Sequence, residues 1–318
     1  MSSLPNSAGA GGARNVLNML ARPLTILLRA EDAVPIALVA AITFGGLLWN
    51  VHAGLVWTTP GPLILVSIIA LVFLGMGTIF STVFSNRIIA ELAIYLALWA
   101  VFPIFGIRLS YLAATLDLPL QDALFARLDA LLGFDWRTTA SILWSNPLFI
   151  DVLIWSYRSN LVQPLILVCA FALFGPRGRN RELLTAMIFA SVATVAVFAV
   201  LPSFGPNEIY GIDSGWHTVL GQLRAGTHAV LPYVGIVSFP SYHASMAIIL
   251  TAAVRNNRAA FIVSSIVNGL MIVATVPVGY HYLIDVIAGI LIAFAALAAA
   301  WRLEERQNRG ARPAENDL

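Results

Sequence analysis

His281 and Asp285 stand four residues apart in "GYHYLIDVIAG", where a polar stretch gives way to a long apolar run. Residues at i and i+4 share one face of a helix, with Cβ atoms about 5–6 Å apart. Asp285 is thereby placed to accept a hydrogen bond from one ring nitrogen of His281, which leaves the other nitrogen unprotonated and facing forward. An imidazole oriented in this way is a nucleophile or a base, and a reference pKa of about 6.5 keeps its neutral form accessible at ordinary pH. The pair alone is a weak sign, because a histidine–carboxylate hydrogen bond also serves purely structural ends. Its depth sharpens the sign. Insertion scales charge about 2.5–3.5 kcal/mol for Asp at the centre of a membrane helix, so a carboxylate one turn into an apolar run needs a partner.

Forty residues earlier, "SFPSYHAS" places His243 at the head of another apolar run. Pro240 and Ser241 suit the opening of a helix, with Ser241 as its N-cap. Free backbone N–H groups at such an opening attract anions. "VGYH" before the second run offers a similar opening, with Gly279 allowing close backbone approach. Two helix starts, two imidazoles and a carboxylate together predict phosphoryl transfer, with His281 attacking phosphorus and His243 protonating the leaving oxygen. The resulting phosphohistidine is then broken by water or by an acceptor alcohol, catalysis being positioning plus charge stabilisation. The same three side chains could bind a metal; the helix-start anion sites would then have no purpose, so the expectation is a reaction with no metal and no cofactor.

The elements that position these residues are read from composition. Of 318 residues, 59% are hydrophobic and 11% charged, less than half the charge content of about 25% usual in soluble chains. The expected fold class is all-α, a polytopic transmembrane helical bundle. A net charge of +2 gives no reason to expect nucleic acid, and every cation is an Arg. Cys169 is the only cysteine, which excludes an intrachain disulfide. The start of the chain lacks a cleavable-signal pattern.

Crossing a bilayer takes about 20 apolar residues, and about eight candidate spans follow: roughly 33–57, 61–84, 88–115, 159–174, 183–203, 242–254, 259–277 and 281–301. Ahead of them, Leu17, Leu20, Leu24, Leu27 and Leu28 recur at helical spacing beside Arg14, Arg22 and Arg29, which predicts a helix on the membrane surface. "LQDALFARLDALLGFDW" has the same amphipathic pattern. The Arg clusters at 177–181, 255–258 and 302–312, with Arg87 and the N-terminal three, all fall on one side when spans are counted. That side is expected to be the cytoplasm, with both termini on it. The starts of the sixth and eighth spans then meet at the opposite, extracytoplasmic face, joined there by "YRSNLVQP" at the start of the fourth. The expected divisions are 1–32, a tail and surface helix; 33–115, three N-terminal spans; 116–302, a catalytic membrane domain; and 303–318, a cytoplasmic tail.

"PSYH" followed by "GYHYLID" resembles the phosphatidic acid phosphatase type 2 superfamily. That family's pattern is Lys, six residues, Arg-Pro; then Pro-Ser-Gly-His; then Ser-Arg, five residues, His, three residues, Asp. Here Pro240, Ser241, Tyr242 and His243 match the second part with Tyr in place of Gly, and His281 and Asp285 match the third. Ala274 and Thr275 stand where the family has Ser-Arg, and Ser156 and Gln163-Pro164 where it has Lys and Arg-Pro. The resemblance implies a six-helix core, a phosphohistidine at His281 and an acid at His243. "HYLID", "LDALLGFDW" and "IWSYRSNLVQPL" are similar to the branch containing inositol phosphorylceramide synthases. The similarity covers roughly residues 116–295.

With the family's cations reduced, a dianionic phosphate lacks compensating charge, whereas a phosphodiester needs less. Arg158 is the expected replacement, with Arg108 and Arg224 behind it. Ser241, Tyr242, Gln163 and Gly279 complete the expected phosphate-binding set. Tyr157, Tyr280 and Tyr282 flank the site, but tyrosines also populate membrane interfaces. His52, His217 and His228 are read as interfacial or solvated. The expected activity is transfer of a phospho-headgroup to a lipid alcohol, at the extracytoplasmic face of a bacterial inner membrane. Its partners are membrane lipids with phosphorylated headgroups, and the oligomeric state stays open. The alternatives are a lipid phosphate phosphatase and a non-catalytic lipid-binding relative.

Overall fold

A computed structural model of the chain describes residues 33–53, 61–176, 178–211, 215–226 and 235–310. Segments 1–32 and 311–318, and with them the expected N-terminal surface helix, lie outside the described residues, as does His228. The described residues form helices and turns with no strand among them. This is the solution an apolar chain without barrel-forming strands has in lipid, since helices satisfy their own backbone groups.

In chain order the helices are α1 (Ala33–Ala53), α2 (Gly61–Thr82), α3 (Arg87–Ala114), α4 (Asp122–Leu131), α5 (Trp136–Trp144), α6 (Pro147–Arg158), α7 (Gln163–Phe174), α8 (Arg179–Val200), α9 (Pro206–Tyr210), α10 (Gly215–Arg224), α11 (Tyr242–Ala253), α12 (Arg258–Ala274) and α13 (Leu283–Gly310). α8 is the axis of the bundle, packed by α3, α11 and α13. Its Leu184, Met187 and Ile188 are fully buried against Ile249 and Leu250 of α11 and Ala293 and Leu297 of α13. α2 packs on α3 and leaves Ile64, Leu65, Ile68, Leu71 and Val72 exposed.

Among the described residues, four helices are long and apolar enough to cross a membrane: Ile64–Thr82, Arg87–Ala114, Arg179–Val200 and Leu283–Arg306. Pro147–Leu161 and Gln163–Phe174 together reach a fifth crossing, bent by 50° at their junction. The remaining apolar segments of the sequence reading are the stretch Ile36–Gly46 within α1 and the shorter helices Tyr242–Ala253 and Arg258–Ala274. By length and composition alone the described residues hold four helices long and apolar enough to cross, or five crossings if the bent pair is one span.

The bent pair moves a motif. "YRSNLVQP" is expected at the outer start of a span, yet the helix begins at Pro147, capped by the Asn146 side chain. A 3-10 turn over Ser159–Leu161 and the 50° bend then place Arg158 and Gln163 at the junction of α6 and α7.

The two ends of the bundle differ sharply. At one end Glu182 accepts hydrogen bonds from Arg179 at 2.8 Å, Arg255 at 2.6 Å and Trp301 Nε1 at 2.6 Å, while Arg181 pairs with Glu304 at 3.0 Å. The other end carries the starts of α11 and α13, crossed by the amphipathic pair α4–α5.

Candidate active site

Two helix starts build the site. Ser241 caps α11, its side chain accepting from Ala244 N at 3.3 Å, and its own backbone N–H donates to Asp285 O at 3.0 Å. Ser245 Oγ donates to Gly289 O at 2.6 Å. These bonds lock α11 to α13 side by side. A Cβ on Gly289 would run into the Ser241 carbonyl, so the absence of a side chain there sets how closely the helices approach.

His281 lies in the turn before α13. Its Nδ1 is 3.3 Å from Asp285 Oδ2, as the four-residue spacing predicts. The same oxygen accepts from Ser238 Oγ at 3.0 Å and Tyr282 N at 3.0 Å, so the carboxylate is held before it holds the imidazole. Asp285 and His281 are both buried, at 0% and 3% exposure. Tyr280, immediately before His281, has φ of 53°, in the left-handed region that costs a non-glycine residue about 1–2 kcal/mol. Gly205 packs against it: a Cβ there would lie 2.7 Å from Tyr280 O and 2.9 Å from Ser238 Oγ.

His243, in the first turn of α11, reaches across to α6. Its Nδ1 is 3.1 Å from Tyr157 Oη, and the two rings stack with centroids 4.2 Å apart. One point links this pair to His281. The position a Cβ on Gly279 would take lies 3.0 Å from Tyr157 Oη and 3.0 Å from His281 Cδ2. The two imidazoles thus share one end of the bundle and one small region, with Tyr157 and Gly279 between them.

Two carboxylates of α4 brace the region from outside. Asp129 accepts from Leu283 N at 2.8 Å and Ile284 N at 2.9 Å, capping α13 from another helix. Burial raises the Asp129 carboxyl above its ordinary range, and the two N–H bonds pull it partly back. Asp122 accepts from Ser203 Oγ at 2.7 Å, Gly205 N at 2.8 Å and Phe204 N at 3.0 Å, fixing the turn beneath Tyr280. Phe125 stacks on Phe239 between them, and Trp136 of α5 stacks on Tyr210 and lies against Tyr280.

Several expected ligands are elsewhere. The Tyr242 hydroxyl points into the bundle and donates to Met187 O at 3.3 Å; one residue along a helix turns the side chain by about 100°, which carries it away from His243. Gln163 Nε2 donates to Ser159 Oγ at 2.8 Å and Asn268 Oδ1 at 3.0 Å, inside a polar network of its own. The Ser241 hydroxyl is buried and occupied as the cap. Arg158 is exposed at the end of α6. Arg224 pairs with Asp117 at 2.9 Å, and Arg108 is buried. Gly279 does line the site. The second anion opening, at the start of α13, is filled by Asp129 and Asp285, which take the N–H groups of Leu283, Ile284 and Tyr282. At the start of α11 the N–H groups of Tyr242 and His243 have no partner among the described residues. No group of three or more His, Cys, Asp or Glu among the described residues is arranged to hold a metal.

The residues that sequence reasoning passed over are Asp122, Asp129 and Ser238. The signal for the first two was present. They are seven residues apart, two turns along one face, and that face of α4 also carries the buried Phe125.

A family model described as the PAP2 superfamily matches residues 123–299, more than half of the chain, including Tyr157, His243, His281 and Asp285. No curated protein and no solved structure matches.

Proposed function

The chain belongs to the PAP2 superfamily, and from that premise we propose that it is a membrane enzyme acting on a lipid-linked phosphoester through a phosphohistidine at His281. The observation that carries the reading is the paired geometry: His281 braced by Asp285 at 3.3 Å, with His243 brought beside it through Tyr157. His281 Nε2 gives its lone pair to phosphorus. The bond from phosphorus to the leaving oxygen breaks, its electrons stay on that oxygen, and His243 supplies the proton. His243 then takes a proton from the acceptor hydroxyl, whose oxygen bonds to phosphorus as the bond from phosphorus to His281 Nε2 breaks and returns its electron pair to the ring. The open N–H groups at the start of α11 would face the phosphate oxygens.

The acceptor we favour is a lipid alcohol and the donor a phosphodiester. Arg158 is exposed at the end of α6, Arg224 pairs with Asp117 at 2.9 Å, and one helix opening is filled by carboxylates. A singly charged diester needs less compensation than a dianionic monoester. The short α11, with 12 residues or about 18 Å of helix, against a hydrocarbon core of about 30 Å, supports a site sunk below the membrane surface. We assign the arginine-rich end to the cytoplasm, the site to the extracytoplasmic side of a bacterial inner membrane, and eight crossings in all, with α1, α11 and α12 included.

The test is turnover by the purified protein of phosphatidate alone, and of a phosphodiester lipid with diacylglycerol or ceramide as acceptor. Transfer in the second assay, lost in His281→Ala and His243→Ala, is the expected result. Fast phosphate release from phosphatidate without transfer would establish the hydrolase instead. No turnover in either, with lipid composition unchanged in cells carrying the two variants, would leave a lipid-binding relative.

A further inference from the structure

We propose that Tyr157 is the positioning residue of His243, holding its imidazole in the tautomer that exchanges a proton only through Nε2. This rests on the acid–base role given to His243 above. Three observations carry it. Tyr157 Oη lies 3.1 Å from His243 Nδ1, and stacking at a centroid distance of 4.2 Å fixes the ring planes. The hydroxyl sits at the centre of the site, since the position of a Cβ on Gly279 is 3.0 Å from both it and His281 Cδ2. Finally, the break after α6 is tied to the helices that frame the site. Gln163 bonds Ser159 and Asn268, and Asn268 Nδ2 donates to Thr251 Oγ1 at 3.1 Å and Ser264 Oγ at 2.9 Å. Thr251 belongs to α11 itself, two turns beyond His243. Asn268 is 1% exposed within an apolar helix, a placement that requires full hydrogen bonding. The network thus anchors the end of α6 to the helix that carries His243.

Either partner can donate across 3.1 Å, and the chemistry selects one direction. As acid, His243 carries protons on both nitrogens; as base, it must present an unprotonated Nε2. Nδ1 therefore keeps its proton in both states, and the Tyr157 oxygen accepts it in both. The two imidazoles then differ by their supports. The carboxylate of Asp285 orients His281 and offsets the positive charge its ring gains on attack at phosphorus. A phenol oxygen is a neutral acceptor, so it orients His243 without pinning the imidazolium charge that must be given up each cycle.

The experiment is 15N NMR of histidine-labelled full-length protein in detergent, with His243 assigned by substitution, alongside steady-state kinetics of Tyr157→Phe. The expected wild-type spectrum of neutral His243 is that of the Nδ1–H form. Tyr157→Phe, which keeps the stacked ring, mixes in the Nε2–H form and lowers kcat by about 10- to 100-fold, with KM changed less than kcat. A wild-type His243 in the Nε2–H form overturns the proposal without any variant. So does a Tyr157→Phe protein with unchanged kcat and an unchanged His243 spectrum. Absence of turnover in the wild type would instead count against the phosphoester reading, since the tautomer is read without substrate.

Discussion

Asp129 caps the helix that follows His281 although it belongs to a helix 154 residues earlier: its two oxygens accept from Leu283 N at 2.8 Å and Ile284 N at 2.9 Å. The carboxylate does the work of an N-cap and lies within the first turn, where the helix dipole favours negative charge. Because His281 sits two residues before α13, the direction of that first turn sets where its ring can reach.

Asp129→Ala should cost about 1–2 kcal/mol of stability, the range for a lost cap. Its larger effect should be on kcat, lower by about 100-fold if the imidazole shifts by 1 Å. Asp129→Asn keeps one acceptor and should fall between wild type and Asp129→Ala in both unfolding temperature and turnover. Equal activity in all three proteins would show that the cap does not position His281.

The same carboxyl gives the stability of the fold a pH dependence of known sign. Burial raises its pKa above 3.8, so the folded chain holds the proton more tightly than the unfolded chain. Its contribution is complete below that ordinary value and declines as pH rises through the raised one. The unfolding temperature of the wild type relative to Asp129→Asn should therefore be highest near the ordinary carboxyl value and drop as pH increases. A difference that instead widens with pH would mean that the two N–H bonds outweigh burial.

What the sequence made legible was local. His281 with Asp285, the Ser241 cap and the all-helical class each depend on spacing within one or two turns, and each is where the spacing put it. What stayed hidden depends on distance along the chain or on rotation about a helix. Asp122 and Asp129 lie in a stretch legible only as amphipathic, because their partners are 81 to 160 residues away. Tyr242 was grouped with its motif, but a motif is linear and a helix turns. Arg158 and Gln163 are expected at the start of a span because polar residues usually mark one; the helix instead begins at Pro147, and the two residues flank the bend that joins it to the next.

Gly289 tests how closely the two histidine-bearing helices must approach. A Cβ there meets the Ser241 carbonyl oxygen, lies 3.1 Å from the Ser241 carbonyl carbon and 3.2 Å from Ala244 Cβ, and cannot be relieved by a flexible side chain. Gly289→Ala should cost about 1–3 kcal/mol through overpacking, stretch the Ser245–Gly289 bond of 2.6 Å, and depress turnover more than the stability loss explains. Gly289→Val should be worse in both. The comparison is of unfolding temperature with specific activity of the folded fraction; an alanine variant with both values intact would show that α11 and α13 can separate without consequence.

Glu182 provides the opposite contrast, because it lies at the far end of the same helices. It is 8% exposed and accepts from Arg179, Arg255 and Trp301, with the Arg255 guanidinium also 5.0 Å from the Trp301 ring centroid. Removing one partner of a buried ion pair leaves the other charge uncompensated, and Arg179 is itself only 7% exposed. Glu182→Ala should therefore lower stability by about 3–5 kcal/mol. Glu182→Gln, which keeps an acceptor but not the charge, should lose less. Nothing in this network touches His243, His281 or Tyr157, so kcat of the protein that remains folded should stay within about twofold of wild type. The check is a thermal unfolding curve paired with activity normalised to folded protein. A large fall in normalised kcat would mean that α8, α11 and α13 transmit the loss of this staple along their length to the two imidazoles.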